Sequence, residues 1–142
     1  MGTAKGTFVP KHPEKYLGDP STIRYMSSWE RNAFVFLDSN VNILRWASEE
    51  ISIPYIKPTD GKVHKYIPDL FIVYKDKDGN VKCDLCEVKP MKHVKQTKKS
   101  SAYDLAAIAI NHAKFEAAQQ FCAQHGWNFR ILTENDMFLT KK

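Results

Sequence analysis

Long apolar runs are missing from this chain. No stretch approaches the roughly 20 consecutive apolar residues that a membrane span needs, so no membrane partner is expected. The opening Met1-Gly2-Thr3-Ala4-Lys5-Gly6 has no apolar signal region, and secretion is not indicated. Cysteine is sparse: Cys83, Cys86 and Cys122 are an odd number and fit reduced thiols in a cytosolic compartment. There is no G-x-G-x-x-G, no Walker A loop and no nucleophile elbow. The five histidines (12, 64, 93, 112, 125) show no H-E-x-x-H spacing, and Cys83-x-x-Cys86 has no second pair. On a strand those two cysteines point to opposite faces, a poor clamp for one zinc ion, so core thiols are the expectation. No internal repeat is visible.

What is present suits one packed domain. At 142 residues a chain buries about two-thirds of its unfolded surface. A hydrophobic fraction of 43%, with eight Phe, six Tyr and three Trp, argues for a globule rather than disorder. The net charge of +5 suits a polyanionic partner. Its distribution says more than its sum. From Lys89 to Lys99 there are five lysines (89, 92, 95, 98, 99) and His93 but no acid. Alone, such a run reads as a solvated linker; beside a carboxylate pair it reads as a phosphate-contacting loop.

That carboxylate pair is the most informative feature. Pro68-Asp69 is followed eighteen residues later by Glu87-Val88-Lys89, giving the form P-D-x(n)-E-x-K. Strand side chains alternate, so Glu87 and Lys89 point the same way. Between the two halves, Asp76-Lys77-Asp78-Gly79-Asn80 carries turn chemistry that folds the second strand back beside the first. Two hard oxygen ligands and an ammonium then converge, as magnesium-assisted phosphodiester hydrolysis requires. Most carboxylate–lysine pairs on strands are solvated ion pairs. Here Asp69 is the only charge in the apolar run Ile67–Tyr74, where an acid costs free energy unless a cation compensates it. That context favours a catalytic site over a structural ion pair.

Along the chain, residues 1–24 hold Pro10, Pro13 and Pro20 with four basic residues and read as an extended basic arm, packed over the domain by Phe8, Tyr16 and Leu17. Residues 25–142 read as a single domain. Ser27 and Glu30 are spaced as a capping box opening a helix, with Trp29, Ala33, Phe36 and Leu37 at helical spacing and a stop at Asp38-Ser39-Asn40. Strands are expected at 43–48, 51–55, 65–75 and 81–89. A second helix runs from Ser101 to about His125 with Leu105, Ile108, Phe115, Ala118 and Cys122 on one face, and Gly126 stops it. A last strand spans 127–133. This order predicts an α/β domain with a central mixed β-sheet flanked by helices.

Three further residues carry alternatives. Glu30 serves either as the N3 residue of a capping box or as a third carboxylate facing the sheet. Asn111 and Lys114, one turn apart on the second helix, form either a solvated edge or a phosphate contact.

Glu30, Pro68-Asp69 and Glu87-x-Lys89, in this order, resemble the PD-(D/E)xK nuclease superfamily, whose α-β-β-β-α-β core is restriction-endonuclease-like. Trp46-Ala47-Ser48-Glu49, Ile53-Pro54-Tyr55, Tyr66-Ile67-Pro68-Asp69 and Phe129-Arg130-Ile131-Leu132-Thr133-Glu134 look like the endonuclease subunit of heteromeric transposases. Together with Gly6-Thr7-Phe8-Val9-Pro10-Lys11-His12-Pro13, they resemble most the head-completion nucleases of tailed bacteriophages. The transposase subunits carry an additional C-terminal domain for which Lys142 leaves no room, favouring the phage resemblance. The resemblance implies a magnesium-dependent deoxyribonuclease, manganese substituting, that cuts or trims packaged double-stranded DNA so that head and tail can join. It would act in the host cytoplasm during assembly, be retained in the virion, and dock on head, portal or neck proteins. Asp69, Glu87 and the Val88 carbonyl would bind the metal, Lys89 would orient or activate the attacking water, and Glu30 would bind a second metal or hold the first site's waters. Lys92, Lys95, Lys98, Lys99, Asn111 and Lys114 would contact DNA. The alternatives are a transposon-end or branched-DNA endonuclease, and a non-catalytic neck protein.

Overall fold

The computed structural model describes residues 5–89 and 102–133. Its centre is a four-stranded mixed sheet in the order β3 (Ile43–Ser48), β6 (Leu70–Lys75), β7 (Val81–Val88), β8 (Asn128–Leu132). The first three strands pair antiparallel, while β8 joins β7 in parallel, reached through the long helix α2 (Ala102–His125). Helix α1 (Ser28–Ser39) precedes β3. The expected α/β architecture with a mixed sheet is therefore the observed one. Among the described residues no helix is long and apolar enough to cross a membrane.

Register shows how the faces are divided. Trp46, Ile72 and Asp84 lie opposite one another across β3, β6 and β7, and so do Ala47, Phe71 and Leu85. Adjacent positions on a strand face opposite ways, so these two rows belong to the two sides of the sheet. Trp46 meets Phe34 of α1, with ring centroids 5.2 Å apart. On the other row, Phe129 lies opposite Leu85 and meets Phe115 of α2 at 5.7 Å. The helices thus cover opposite faces. The parallel β7–β8 seam is pinned by Asp84, a buried carboxylate that accepts from Asn128 Nδ2 at 3.0 Å and Arg130 Nη1 at 3.1 Å.

The β6–β7 hairpin follows from its turn chemistry. Asp76 Oδ1 accepts from the backbone N–H of Asp78 and of Asn80, each at 2.9 Å, and Gly79 takes φ +83°, open to glycine without penalty. This hairpin sets Leu70 opposite Cys86, which carries the preceding Asp69 to the level of Glu87.

The sequence reading needs correction in four places. The strand expected over 65–75 is two strands: β5 (Val63–Tyr66) pairs with β4 (Ile53–Ile56) in a separate ribbon, and β6 begins only at Leu70. Pro68, which has no N–H to give a ladder, lies buried at the break. The second strand runs Ile53–Ile56 rather than 51–55. On α2, Phe115, Ala118 and Cys122 face inward as expected, but Leu105 is 50% exposed and Ile108 is also exposed. The N-terminal segment is not simply extended: it holds a short β1–β2 pair (Gly6–Thr7 with Arg24–Tyr25) and two 3₁₀ turns. Phe8, Tyr16 and Ile23 belong to the core, whereas Leu17 is exposed. Buried Asp38 of α1 accepts the N–H of Lys11 at 2.8 Å and of His12 at 3.0 Å, fastening this segment to the helix.

Candidate active site

Asp69 and Glu87 sit on adjacent chain segments at one end of the sheet, and each is held by a different kind of donor. The Val88 N–H donates to Asp69 Oδ2 at 2.7 Å. The Tyr66 hydroxyl donates to Glu87 Oε1 at 2.7 Å. Lys89, on the same face of the strand end as Glu87, brings Nζ to 3.8 Å from Glu87 Oε2. Neither member of that pair is solvated freely: their side chains are 21% and 15% exposed. The convergence expected of these three residues is observed.

Glu30 resolves differently from the either-or of the sequence. Ser27 Oγ accepts the Glu30 N–H at 3.1 Å, and Glu30 Oε1 reaches back to accept the Met26 N–H at 2.6 Å. It is a cap. The first turn of α1 nevertheless lies against the site, and Glu30 lines a small cleft with Ser48, Asp69 and Val88. One residue occupies both places.

A fourth carboxylate belongs to this group and escaped sequence reasoning. Glu49 follows β3, and its N–H donates to the Asp69 carbonyl at 3.1 Å. Its φ of +55° makes it the one non-glycine among the described residues with left-handed backbone. The signal that would have found it is the β3–β6 register: Ser48 opposite Leu70 places Glu49 beside Asp69.

Electrostatics reflect the crowding. Burial, then the negative charge of Glu87, push the Asp69 carboxyl up to about 7; the Val88 N–H opposes this, and Glu30 and Glu49 add to it. Burial, then Glu30 and Glu87, raise Glu49 in the same direction. The site is therefore a concentration of acid with one lysine at its edge. Among the described residues no three His, Cys, Asp or Glu side chains close into a metal cage.

Lys114 comes toward the same region from α2. Its Nζ lies 5.6 Å from the Tyr66 ring centroid and 6.0 Å from that of Tyr55, within cation–π range. No carboxylate among the described residues makes an ion pair with it. Asn111 is half-buried one turn earlier. Lys92, Lys95, Lys98 and Lys99 lie outside the described residues. The cysteines are free thiols as expected, and burial pushes Cys86 up to about 12 and Cys122 up to about 11, which keeps them protonated.

The chain has relatives among known proteins. No solved structure matches the chain. The head completion nuclease of Enterobacteria phage T4 is 34% identical over 142 residues, which cover 93% of this chain and 92% of that protein. The family model described as TnsA-like endonuclease N terminal matches residues 40–134, a span holding Asp69, Glu87, Lys89 and Lys114. With two-thirds of its length inside that match, the chain belongs to the TnsA-like endonuclease N-terminal family.

Proposed function

We propose that this chain is a magnesium-dependent deoxyribonuclease that cuts or trims packaged DNA during phage head completion. The observation that carries the reading is the convergence of Asp69, Glu87 and Lys89 at the sheet end, with Asp69 pushed up to about 7 by burial and by its acidic neighbours. A folded domain that gathers Asp69, Glu87, Glu30 and Glu49 around a single lysine in this way suits a divalent cation. Magnesium in particular needs only one or two carboxylates and keeps several waters, which suits a pair of acids at an open sheet end. Asp69 and Glu87 would hold the ion with the Val88 carbonyl as a third donor, and manganese would substitute.

The ion supplies positive charge against the phosphate oxygens as negative charge builds there. The protein's own residues do the rest. The Val88 N–H holds Asp69 in place through Oδ2. Lys89 orients the attacking water and offsets the negative charge on the phosphate oxygens as the new P–O bond forms and the old one breaks. Glu30, anchored through Oε1, adds acceptor capacity on the α1 side of the cleft. Cleavage of linear, circular and branched DNA with and without magnesium tests the reading. Absence of any magnesium-dependent product would overturn it. The second reading is a transposon-end or branched-DNA endonuclease, which the endonuclease family match accommodates equally; preferential cleavage of a transposon-end or branched substrate would select it.

Glu30→Gln separates the two places that Glu30 occupies. The amide oxygen can still accept the Met26 N–H, but the charge facing Asp69 is gone. Loss of cleavage at an unchanged melting temperature is the expected result; full activity would leave Glu30 as a cap alone.

For DNA contact, the proposed elements are the acid-free lysine run after Lys89 and Lys114, whose ammonium lies over two aromatic rings. Neutralising Lys92, Lys95, Lys98 and Lys99 together is expected to weaken binding to all sequences alike. For every phosphate that such a lysine neutralises, its removal should reduce the log–log salt slope by about 0.9 on duplex DNA. An unchanged slope would place the DNA path elsewhere.

A further inference from the structure

We infer that Tyr66 is a positioning residue that sets the orientation of Glu87 for metal binding; the inference rests on the metal-dependent reading above. Glu87 stands beside Asp69 and Glu49, both carboxylates, and repulsion from them favours swinging it out toward solvent. Two groups oppose that swing. Lys89 is one, at 3.8 Å and partly exposed. The other is the Tyr66 hydroxyl at 2.7 Å, a short hydrogen bond to the carboxylate that pairs with Lys89, from a residue only 4% exposed.

The donor is fixed by elements outside the hairpin that carries Glu87. Tyr66 ends β5, whose ladder partner is β4, with Ile53 opposite Tyr66. Its ring meets Phe115 of α2 at 6.1 Å and lies under Lys114 Nζ at 5.6 Å. The two oxygens of Glu87 thus have separate surroundings: Oε1 faces a neutral buried hydroxyl, and Oε2 faces the lysine. Held this way, the carboxylate keeps one orientation before any ion arrives, and Oε2 is presented to the space shared with Lys89. Groups that orient a metal-binding carboxylate in this manner are worth about 10–100-fold in metal affinity or activity.

Tyr66→Phe removes the hydroxyl and keeps the ring that packs against Phe115. In calorimetric titrations with manganese in the absence of DNA, the variant is expected to bind about 10–100-fold more weakly than the parent protein. In cleavage assays the manganese concentration giving half-maximal rate should rise by a similar factor, with most of the rate recovered at saturating metal. A hydroxyl that served folding alone would lower the metal-free melting temperature and leave both metal readouts unmoved, and that result would overturn the inference. Equal manganese affinity of variant and parent overturns the role of Tyr66 while leaving the metal reading standing. Failure of the parent itself to bind manganese removes both.

Discussion

Lys89→Ala protein is expected to cleave DNA about 10²–10³ times more slowly than the parent at saturating magnesium, while still binding the metal. The lysine is not a ligand. Its Nζ lies 3.8 Å from Glu87 Oε2, so its removal takes a positive charge away from an acidic site, while the Tyr66 hydroxyl still holds Glu87 through Oε1. Metal affinity should therefore hold or rise as the rate falls. Asp69→Ala and Glu87→Ala are expected to lose both properties, because each deletes a donor. The three variants together distinguish an ammonium acting on the reacting phosphate from one that only balances charge. Near-parental cleavage by Lys89→Ala would remove Lys89 from the mechanism.

The second large effect concerns stability. Asp69 is pushed up to about 7 in the folded protein from an ordinary value near 3.8. A carboxyl that holds its proton more tightly folded than unfolded stabilises the fold fully below its unfolded pKa, and that contribution is lost as pH rises through about 7. Above that pH the metal-free protein carries an ionised, mostly buried carboxylate beside Glu87, at a cost of up to about 4 kcal/mol relative to a neutral side chain. Asp69→Asn is accordingly expected to melt higher than the parent at pH 8 in chelator, with the difference shrinking at pH 5, where Asp69 is itself protonated. Magnesium should raise the parent's melting temperature at pH 8 and not the variant's. An Asn variant less stable than the parent at pH 8 would contradict the electrostatic account. The same proton competes with the ion, so metal-dependent cleavage should climb with pH toward and through about 7.

How far the sequence could be read depended on the range of the interactions involved. The β6–β7 hairpin was legible because its information is local: Asp76 and Gly79 build the turn, and alternation does the rest. Helix α1 announced itself through Ser27 and Glu30, and the stop at Gly126 is observed, with φ +72°. The carboxylate pair was legible because Asp69 is conspicuous in an apolar run. Glu49 was not, since its nearness to Asp69 exists only once β3 pairs with β6. Tyr66 was hidden for a related reason. It lies two residues before Pro68, inside the span 65–75 that reads as one strand, whereas it belongs to another sheet. The solvent-facing Leu105 and Ile108 follow from how far α2 is covered, and its principal neighbours are β4 and β8. No periodicity encodes that.

The break at Pro68 has a consequence for how distant changes reach the chemistry. Glu87 belongs to the four-stranded sheet and Tyr66 to the β4–β5 ribbon, and only Ile67, Pro68 and Asp69 join β5 to β6. The hydrogen bond between Tyr66 and Glu87 is thus a gauge of how the two sheets are seated on each other. A shift of the ribbon that leaves every side chain of the site chemically intact still alters the gap that this hydroxyl spans. Substitutions at Ile53 or Tyr55, whose side chains are buried on the ribbon, would register at Glu87 as a change of alignment rather than of composition. The ribbon is in this sense a tuning element for the carboxylate it borders.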